Sequence, residues 1–201
     1  EFIKNNRDYF FELRKSNLFL LSVLFIFVGI IWTLAAGFAA PLLIFAGFIF
    51  SKWFGFLIAT FSLAVGATAL YIFANYFLKN LVREKFLVKF QNLEIKFKKS
   101  EFNYLLLYRF IGGIPFAISN ILPCIFNVKV SNFFWATLIG IMPHTFLMVS
   151  IGSGLEKIID QNMHAPSIIN IITSKHIYIP LIAFFTLVLI TIVIRKYFYK
   201  N

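Results

Sequence analysis

The chain has 201 residues, 60% of them hydrophobic and only 13% charged, and its mean hydropathy is +0.85. This composition excludes an ordinary soluble domain and predicts an all-α integral membrane protein. The formal net charge is +11. Because the basic residues lie beside apolar runs, they indicate anionic lipid rather than nucleic acid as the partner.

Charges and apolar runs divide the chain into four predicted segments. Seven Lys/Arg against two acids lie between Lys79 and Lys99, and further basic residues follow Ile194. Lys and Arg mark cytoplasmic loops, so both termini and the basic segment are predicted inside, and the loop after Glu156 outside. The segments are a cytoplasmic juxtamembrane segment (1–17), a membrane domain (18–155) that contains a basic amphipathic helix (79–103), an external loop (156–176), and a last transmembrane helix with a basic tail (177–201).

The first half of the membrane domain predicts two spans and one hairpin. The uncharged run from Leu18 to Ala40 predicts a full span. The next apolar stretch, Pro41 to Leu78, has nearly twice the length of a span, although the charges require only one net crossing. A re-entrant hairpin at about 41–54 and a span at about 56–78 meet both conditions. The residues expected to shape this hairpin are Pro41, Gly47 and Gly55.

The second half repeats this pattern. The apolar stretch from Tyr104 to Phe126 is interrupted by Gly112, Gly113, Pro115 and Pro123. A second hairpin there, followed by a span at 131–152 that contains Pro143, gives two hairpin-and-span units that enter from opposite faces as an inverted repeat. With the last helix, the expected fold has about four transmembrane helices and two opposed re-entrant hairpins.

Arg109 is the most informative residue, because it stands alone in an apolar stretch. An arginine at membrane depth costs roughly 2.5–3.5 kcal/mol on insertion scales, and non-helical backbone at that depth must face protein or water. We therefore predict that its guanidinium binds a lipid phosphate; the alternative is that it snorkels to the interface. The candidate substrate-binding residues are Arg109, Gly112, Gly113, Pro115, Asn120 and Lys52. Asn120 alternatively satisfies freed backbone groups, and Lys52 is alternatively an exposed interfacial lysine.

Several runs resemble a known family. They are Arg109–Asn120 (RFIGGIPFAISN), Val128–Phe134 (VKVSNFF), Thr137–Pro143 (TLIGIMP) with Gly152, and upstream Pro41, Gly47, Phe50 and Gly55 followed by Gly66-Ala67-Thr68. Over residues 20–155 the chain resembles the VTT-domain superfamily, also described as the DedA-like or SNARE-associated Golgi protein group, and within it the late-Golgi-vesicle-protein-like branch.

The resemblance implies a bilayer protein with two opposed re-entrant hairpins, in a family linked to phospholipid scrambling and to flipping of lipid carriers. In bacteria it also implies roles in maintaining the envelope and the proton gradient. The chain departs from the family pattern at Gly112, where Pro is usual, and at Cys124, where Gly is usual. It also has no acid between residues 13 and 83, although DedA-type members carry acids near the first hairpin. This argues against carboxylate-driven proton coupling.

The remaining patterns limit the function classes. No nucleophile constellation, phosphate loop or paired carboxylates are present, so an enzyme, a cofactor and a metal site are not expected. His144 is a candidate proton relay, or alternatively a hydrogen-bonded structural histidine. The expected function is movement of phospholipid or lipid-phosphate headgroups through a groove between the hairpins, in a bacterial inner membrane and as a monomer or homo-oligomer. The alternatives are a scaffold that recruits partners or anionic lipid through the basic helix, and a proton-coupled small-solute carrier.

Overall fold

The computed structural model describes residues 12, 14–80, 84, 100–111, 115–161 and 173–198. Every regular element in this part of the chain is helical. The α-helices are α1 (Leu18–Leu34), α2 (Ala39–Phe50), α3 (Lys52–Phe73), α4 (Glu101–Ile111), α5 (Phe116–Ile121), α6 (Val130–Gly140), α7 (Met142–Gln161) and α8 (Lys175–Phe198). A π-helical segment, Ala74–Leu78, extends α3, and a 3-10 helix, Leu122–Phe126, extends α5.

The outer surfaces of these helices carry large exposed side chains, such as those of Phe19 (80% exposed), Trp53 (69%) and Tyr76 (82%). Contiguous exposed apolar surface of this kind suits hydrocarbon rather than water. The helix Lys52–Leu78 is long and apolar enough to cross a membrane, and the bent pair Val130–Glu156 qualifies as a second span if it is counted as one. The predicted class, an all-α membrane protein, is confirmed.

Helices α1 and α2 form the first hairpin (Leu18–Phe50). Because α1 has 17 residues, it extends about 26 Å, less than the roughly 30 Å of a bilayer core. The chain turns at Ala36, whose φ is 59°, and α2 returns along α1, with the ring of Phe50 5.3 Å from that of Phe25. The predicted full span at 18–40 is therefore wrong, and the predicted hairpin at 41–54 is only the returning arm of a longer one.

The base of the first hairpin is closed by Arg14. Its Nη1 donates to the carbonyl oxygen of Ile49 at 3.1 Å and to Oε1 of Glu156 at 3.3 Å. Residues 14 and 156 therefore lie at the same face of the membrane, so the prediction that places the N-terminal segment inside and the 156–176 loop outside is wrong. The first 17 residues carry four Lys/Arg against three acids, and this bias is too weak to assign a side.

The second hairpin consists of α4, α5 and the 3-10 helix (Glu101–Phe126). Its entrance and exit meet at Glu101, where Oε2 accepts hydrogen bonds from the backbone N–H of Lys129 at 3.1 Å and from Nδ2 of Asn132 at 2.8 Å. Asn127 turns the chain with φ 50°, a conformation that asparagine tolerates better than most residues. The stretch that was predicted to enter and return at one face does so.

Each hairpin is followed directly by a span. A single residue, Ser51 with φ 64°, joins the first hairpin to Lys52–Leu78. The second hairpin leads into α6 and α7, which meet at 46° because Pro143 stands in the first turn of α7, where it cannot donate to the preceding turn. Helix α8 coincides with the predicted last span. The chain order is hairpin, span, hairpin, span, which is the order expected for an inverted repeat.

The chain divides into two compact units, 1–29 with 40–62 and 144–187, and 30–39 with 63–143 and 188–201. In the first unit, a Cβ at Gly47 would overlap the carbonyl oxygen of Val149, and one at Gly152 would overlap that of Ile44. Glycine at both positions lets two helix backbones touch. The second unit has a core in which Tyr71 stacks on Phe133, with 4.3 Å between ring centroids.

Candidate functional site

Arg109 lies in the last turn of α4, one turn after the buried Leu105, and its side chain is only 8% exposed. An arginine that snorkelled to the interface would expose its guanidinium to water and headgroups. The burial of Arg109 inside the second unit contradicts that alternative. The residue is a buried cation, as its position in an apolar stretch predicts.

Two hydroxyls fix the guanidinium. Nε donates to Oγ1 of Thr137 on α6 at 3.1 Å, and Nη1 donates to Oγ of Ser119 on α5 at 2.8 Å. The Ser119 hydroxyl donates a hydrogen bond to the carbonyl oxygen of Phe116 at 2.7 Å. Its lone pairs are therefore oriented toward the arginine. One side chain thereby connects both arms of the second hairpin to the following span.

Aromatic rings surround the same charge. The guanidinium carbon lies 4.9 Å from the ring centroid of Phe133 and 6.0 Å from those of Tyr108 and Phe116. Ring faces stabilise a cation without neutralising it. Gly140 leaves the space beside this side chain, since a Cβ there would collide with Cβ of Arg109.

Three buried polar atoms of Arg109 and Asn120, both in the second hairpin, have no hydrogen-bond partner in the described part of the chain. They are Nη2 of Arg109 and both amide atoms of Asn120, a residue that is 0% exposed. Among the described residues, no carboxylate pairs with Arg109 either. The site therefore holds one uncompensated positive charge and an amide with one donor group and one acceptor available.

The other sequence-predicted binding residues are placed as follows. Gly112 and Gly113 lie outside the described residues. Pro115 is exposed and precedes the first turn of α5 with ψ 136°. Lys52 belongs to the first unit, where its ammonium lies 4.7 Å from the ring centroid of Phe146. Of the predicted set, Arg109 and Asn120 are buried, and both belong to the second unit.

The residues predicted to shape the hairpins have distinct positions. Pro41 is exposed in the first turn of α2, where its missing N–H costs nothing. Gly55 lies against the carbonyl oxygen of Ala46, which brings α3 back along α2. His144 is half-buried in the first turn of α7, and the next residue, Thr145, shares a hydrogen bond of 3.0 Å with Thr60.

Sequence reasoning missed Ser119 and Thr137, the two partners of the guanidinium. Hydroxyl residues are common in membrane helices, where most of them bond their own backbone, as Thr68 does with Ala64 at 2.7 Å. The only available signal was that Ser119 stands beside Asn120, in the stretch that also contains Arg109. Thr137 begins one of the runs that resemble the family, but nothing in the sequence marked it as a partner of Arg109.

The hairpins, the spans and the apolar outer surface define a polytopic membrane protein with a buried cationic site. A family model described as the VTT domain matches residues 37–154, more than half of the chain, and the chain belongs to this family. The match covers the returning arm of the first hairpin, both spans and the whole second hairpin, so the site of Arg109 lies within it.

Two curated relatives are named Transmembrane protein 41 homolog. The one from Caenorhabditis elegans is 28% identical over 144 residues, which cover 68% of this chain and 58% of the relative. The one from Dictyostelium discoideum is 31% identical over 137 residues, which cover 65% of this chain and 41% of the relative. The chain thus spans about half the length of these relatives. No solved structure matches it.

Proposed function

We propose that this chain is not an enzyme but moves phospholipids across the bilayer, and that Arg109 contacts the lipid phosphate while the headgroup crosses. The observation that carries the proposal is the buried guanidinium without a carboxylate partner among the described residues. A charge kept in the membrane without a counter-ion is costly, and a phosphate that enters the site supplies one. The relatives' names support a membrane role and nothing finer.

The hydrogen bonds of Arg109 refine how the phosphate is held. Nε and Nη1 are engaged by Thr137 and Ser119, so the two N–H groups of Nη2 remain for the ligand. The two hydroxyls orient the guanidinium, and the N–H groups of Nη2 together with the second N–H of Nη1 remain as the fork that the sequence suggested. Charge-assisted hydrogen bonds of this kind are the strong ones.

The charge distribution supports an orientation for this transport. The segment between Lys79 and Lys99, with its seven Lys/Arg, follows the span Lys52–Leu78 and precedes the second hairpin. We place this segment in the cytoplasm. The second hairpin then opens toward the cytoplasmic leaflet, and in a bacterial cell that membrane is the inner membrane.

The decisive experiment measures movement of acyl-labelled fluorescent phospholipids in liposomes that contain the purified protein. Arg109→Ala should lower the rate to that of protein-free vesicles, and Arg109→Lys should recover only part, because an ammonium cannot hold both hydroxyls and the phosphate in the same plane. Arg14→Ala is the matched control, since it removes an arginine that already has a carboxylate partner. If Arg109→Ala moves lipid at the wild-type rate, the phosphate-binding role is wrong.

A purely structural role for Arg109 makes a different prediction. In that case Thr137→Val, which removes the partner of Nε, should impair transport and thermal stability in proportion, as Arg109→Ala does. In a phosphate-binding role, Thr137→Val lowers stability but keeps most of the transport, because Nη2 is still present. If the wild-type protein moves no lipid at all, transport is excluded, and the scaffold function should be tested next.

A further inference from the structure

Asn120 is a fully buried amide in the second hairpin. It lies near the end of α5, is 0% exposed, and neither its Nδ2 nor its Oδ1 has a hydrogen-bond partner in the described chain. It directly follows Ser119, whose hydroxyl accepts the hydrogen bond from Arg109. Helix α5 therefore carries both the unpaired amide of Asn120 and the hydroxyl of Ser119 that holds the guanidinium of Arg109.

A structural role does not account for this residue. Burying a primary amide without partners is unfavourable, and an apolar side chain of the same shape avoids the penalty. Ser119 and Thr137, two other buried polar residues of the hairpin and its span, both have a partner. Water inside a bilayer is scarce, so the partners of Asn120 are best supplied by a ligand.

The charge of the site restricts the ligand. Arg109 contributes one positive charge, and no described carboxylate offsets it. A phosphodiester carries one negative charge and balances the site, whereas a terminal phosphate carries between one and a half and two near neutral pH. A monoester would therefore bring roughly one uncompensated negative charge into an apolar environment.

The amide adds a second restriction. Nδ2 can donate to a ligand oxygen, while Oδ1 can only accept. A glycerol hydroxyl offers the donor that Oδ1 requires without adding charge, and an ethanolamine ammonium offers the same donor together with one positive charge. A trimethylammonium group has no N–H, so a choline headgroup would leave Oδ1 unsatisfied.

We infer that the second hairpin selects phosphodiester lipids whose headgroup carries a hydrogen-bond donor, and that Asn120 determines this preference. The inference rests on the proposed lipid movement and names the substrate class of the same site. The ligand is the headgroup of a bilayer lipid and not a water-soluble phosphodiester.

The test compares acyl-labelled phosphatidylethanolamine, phosphatidylglycerol and phosphatidylcholine in otherwise identical liposomes. The wild-type protein should move the first two roughly three- to tenfold faster than phosphatidylcholine, the ratio expected from one neutral hydrogen bond. Asn120→Leu should bring the three rates together by slowing the first two. The matched control is Asn103→Leu, which changes an exposed asparagine of α4 and should keep the preference.

Each outcome decides a different point. If the wild-type protein moves all three lipids equally, the selectivity inference is overturned and the proposed transport stands. If it moves none, both are overturned. Soluble glycerophosphoethanolamine should not inhibit; inhibition by it would show that the site takes soluble phosphodiesters and would overturn the lipid assignment. If Asn120→Leu fails to fold, the wild-type ratio and Asn120→Ala still test the preference.

Discussion

The two hairpins each hold an arginine, and they treat its charge in opposite ways. At the base of the first hairpin, Arg14 is about one third exposed and pairs with Glu156, whose side chain is 11% exposed. In the second hairpin, Arg109 is buried and has only neutral hydroxyl partners. Neutralising a charge inside the protein fixes a structure, whereas leaving it uncompensated keeps it available to an anion. The contrast separates a structural arginine from a candidate binding arginine.

The largest expected effect is an all-or-none difference in labelling at the bases of the two hairpins. In a Cys124→Ser background, Ser16→Cys at the first base and Ser131→Cys after the second should react with an impermeant thiol reagent from opposite faces, because one span separates the hairpins. Ser167→Cys should share the face of Ser16→Cys, and Asn92→Cys that of Ser131→Cys, with the latter pair cytoplasmic.

The control for this mapping is the cysteine-free background, which should not be labelled. If Ser16→Cys and Ser131→Cys react from the same face, the inverted repeat is wrong. If Ser167→Cys reacts from the face opposite to Ser16→Cys, the ion pair of Arg14 and Glu156 does not form in the membrane.

The second-largest effect, on lipid movement, is expected when Arg109 is given a carboxylate partner, as Arg14 has in Glu156. Ser119→Asp places a carboxylate where the hydroxyl lies 2.8 Å from Nη1, so the positive charge is satisfied internally and a phosphate is repelled. We expect lipid movement to fall at least about tenfold, which corresponds to about 1.4 kcal/mol, while thermal stability in detergent is maintained or raised. Ser119→Asn, of equal size and without charge, should retain most of the movement; equal loss in both variants would show that shape rather than charge matters.

A smaller effect is expected when the first hairpin loses its carboxylate. Glu156→Gln removes the carboxylate from Arg14 and leaves the hydrogen bond to the carbonyl oxygen of Ile49. Because Arg14 is partly exposed, solvent compensates for much of the loss, and the free energy of unfolding should drop by about 1 kcal/mol or less. Thermal unfolding in detergent measures the change, and Arg14→Gln with Glu156→Gln should cost less than the sum of the two. Lipid movement per folded molecule should not change.

The smallest effect is expected from a pH gradient. The described hairpins offer one arginine without a carboxylate partner, and a proton relay in a membrane usually links several acids or histidines. Lipid movement should therefore proceed equally in both directions, with or without a pH step across the liposome, and His144→Gln should not alter this. A gradient effect that disappears in His144→Gln would instead identify His144 as the relay.

The sequence was sufficient for the class of fold and for the presence of a buried arginine, Arg109, but not for the boundaries of the helices. Apolar runs with few charges predict membrane helices, and a lone arginine in such a run marks a site. The sequence does not distinguish the first hairpin from a span, because α1 and α2 are joined by a tight turn at Ala36 within one uninterrupted apolar run. A run of this length is equally compatible with a span, and only the packing of Phe25 on Phe50 distinguishes the two.

Local sequence patterns also could not predict the partners of Arg109 and Arg14, because these partners are distant in the sequence. Thr137 stands 28 residues from Arg109, and Glu156 stands 142 residues from Arg14. Pairings of this kind depend on which helices become neighbours, and helix propensity and hydropathy do not specify that. Glycines gave a partial signal, since Gly47 and Gly152 both proved to be places where backbones touch.

The separation of Arg14 from Glu156 has a consequence for biogenesis. A ribosome adds about 5–20 residues per second, so the first hairpin would be complete for several seconds before Gly152 and Glu156 reach the bilayer. During that interval the backbone beside Gly47 and the guanidinium of Arg14 lack their later partners. Insertion factors that shelter an unfinished hairpin would therefore matter more for this protein than for one whose neighbouring helices pair as they emerge.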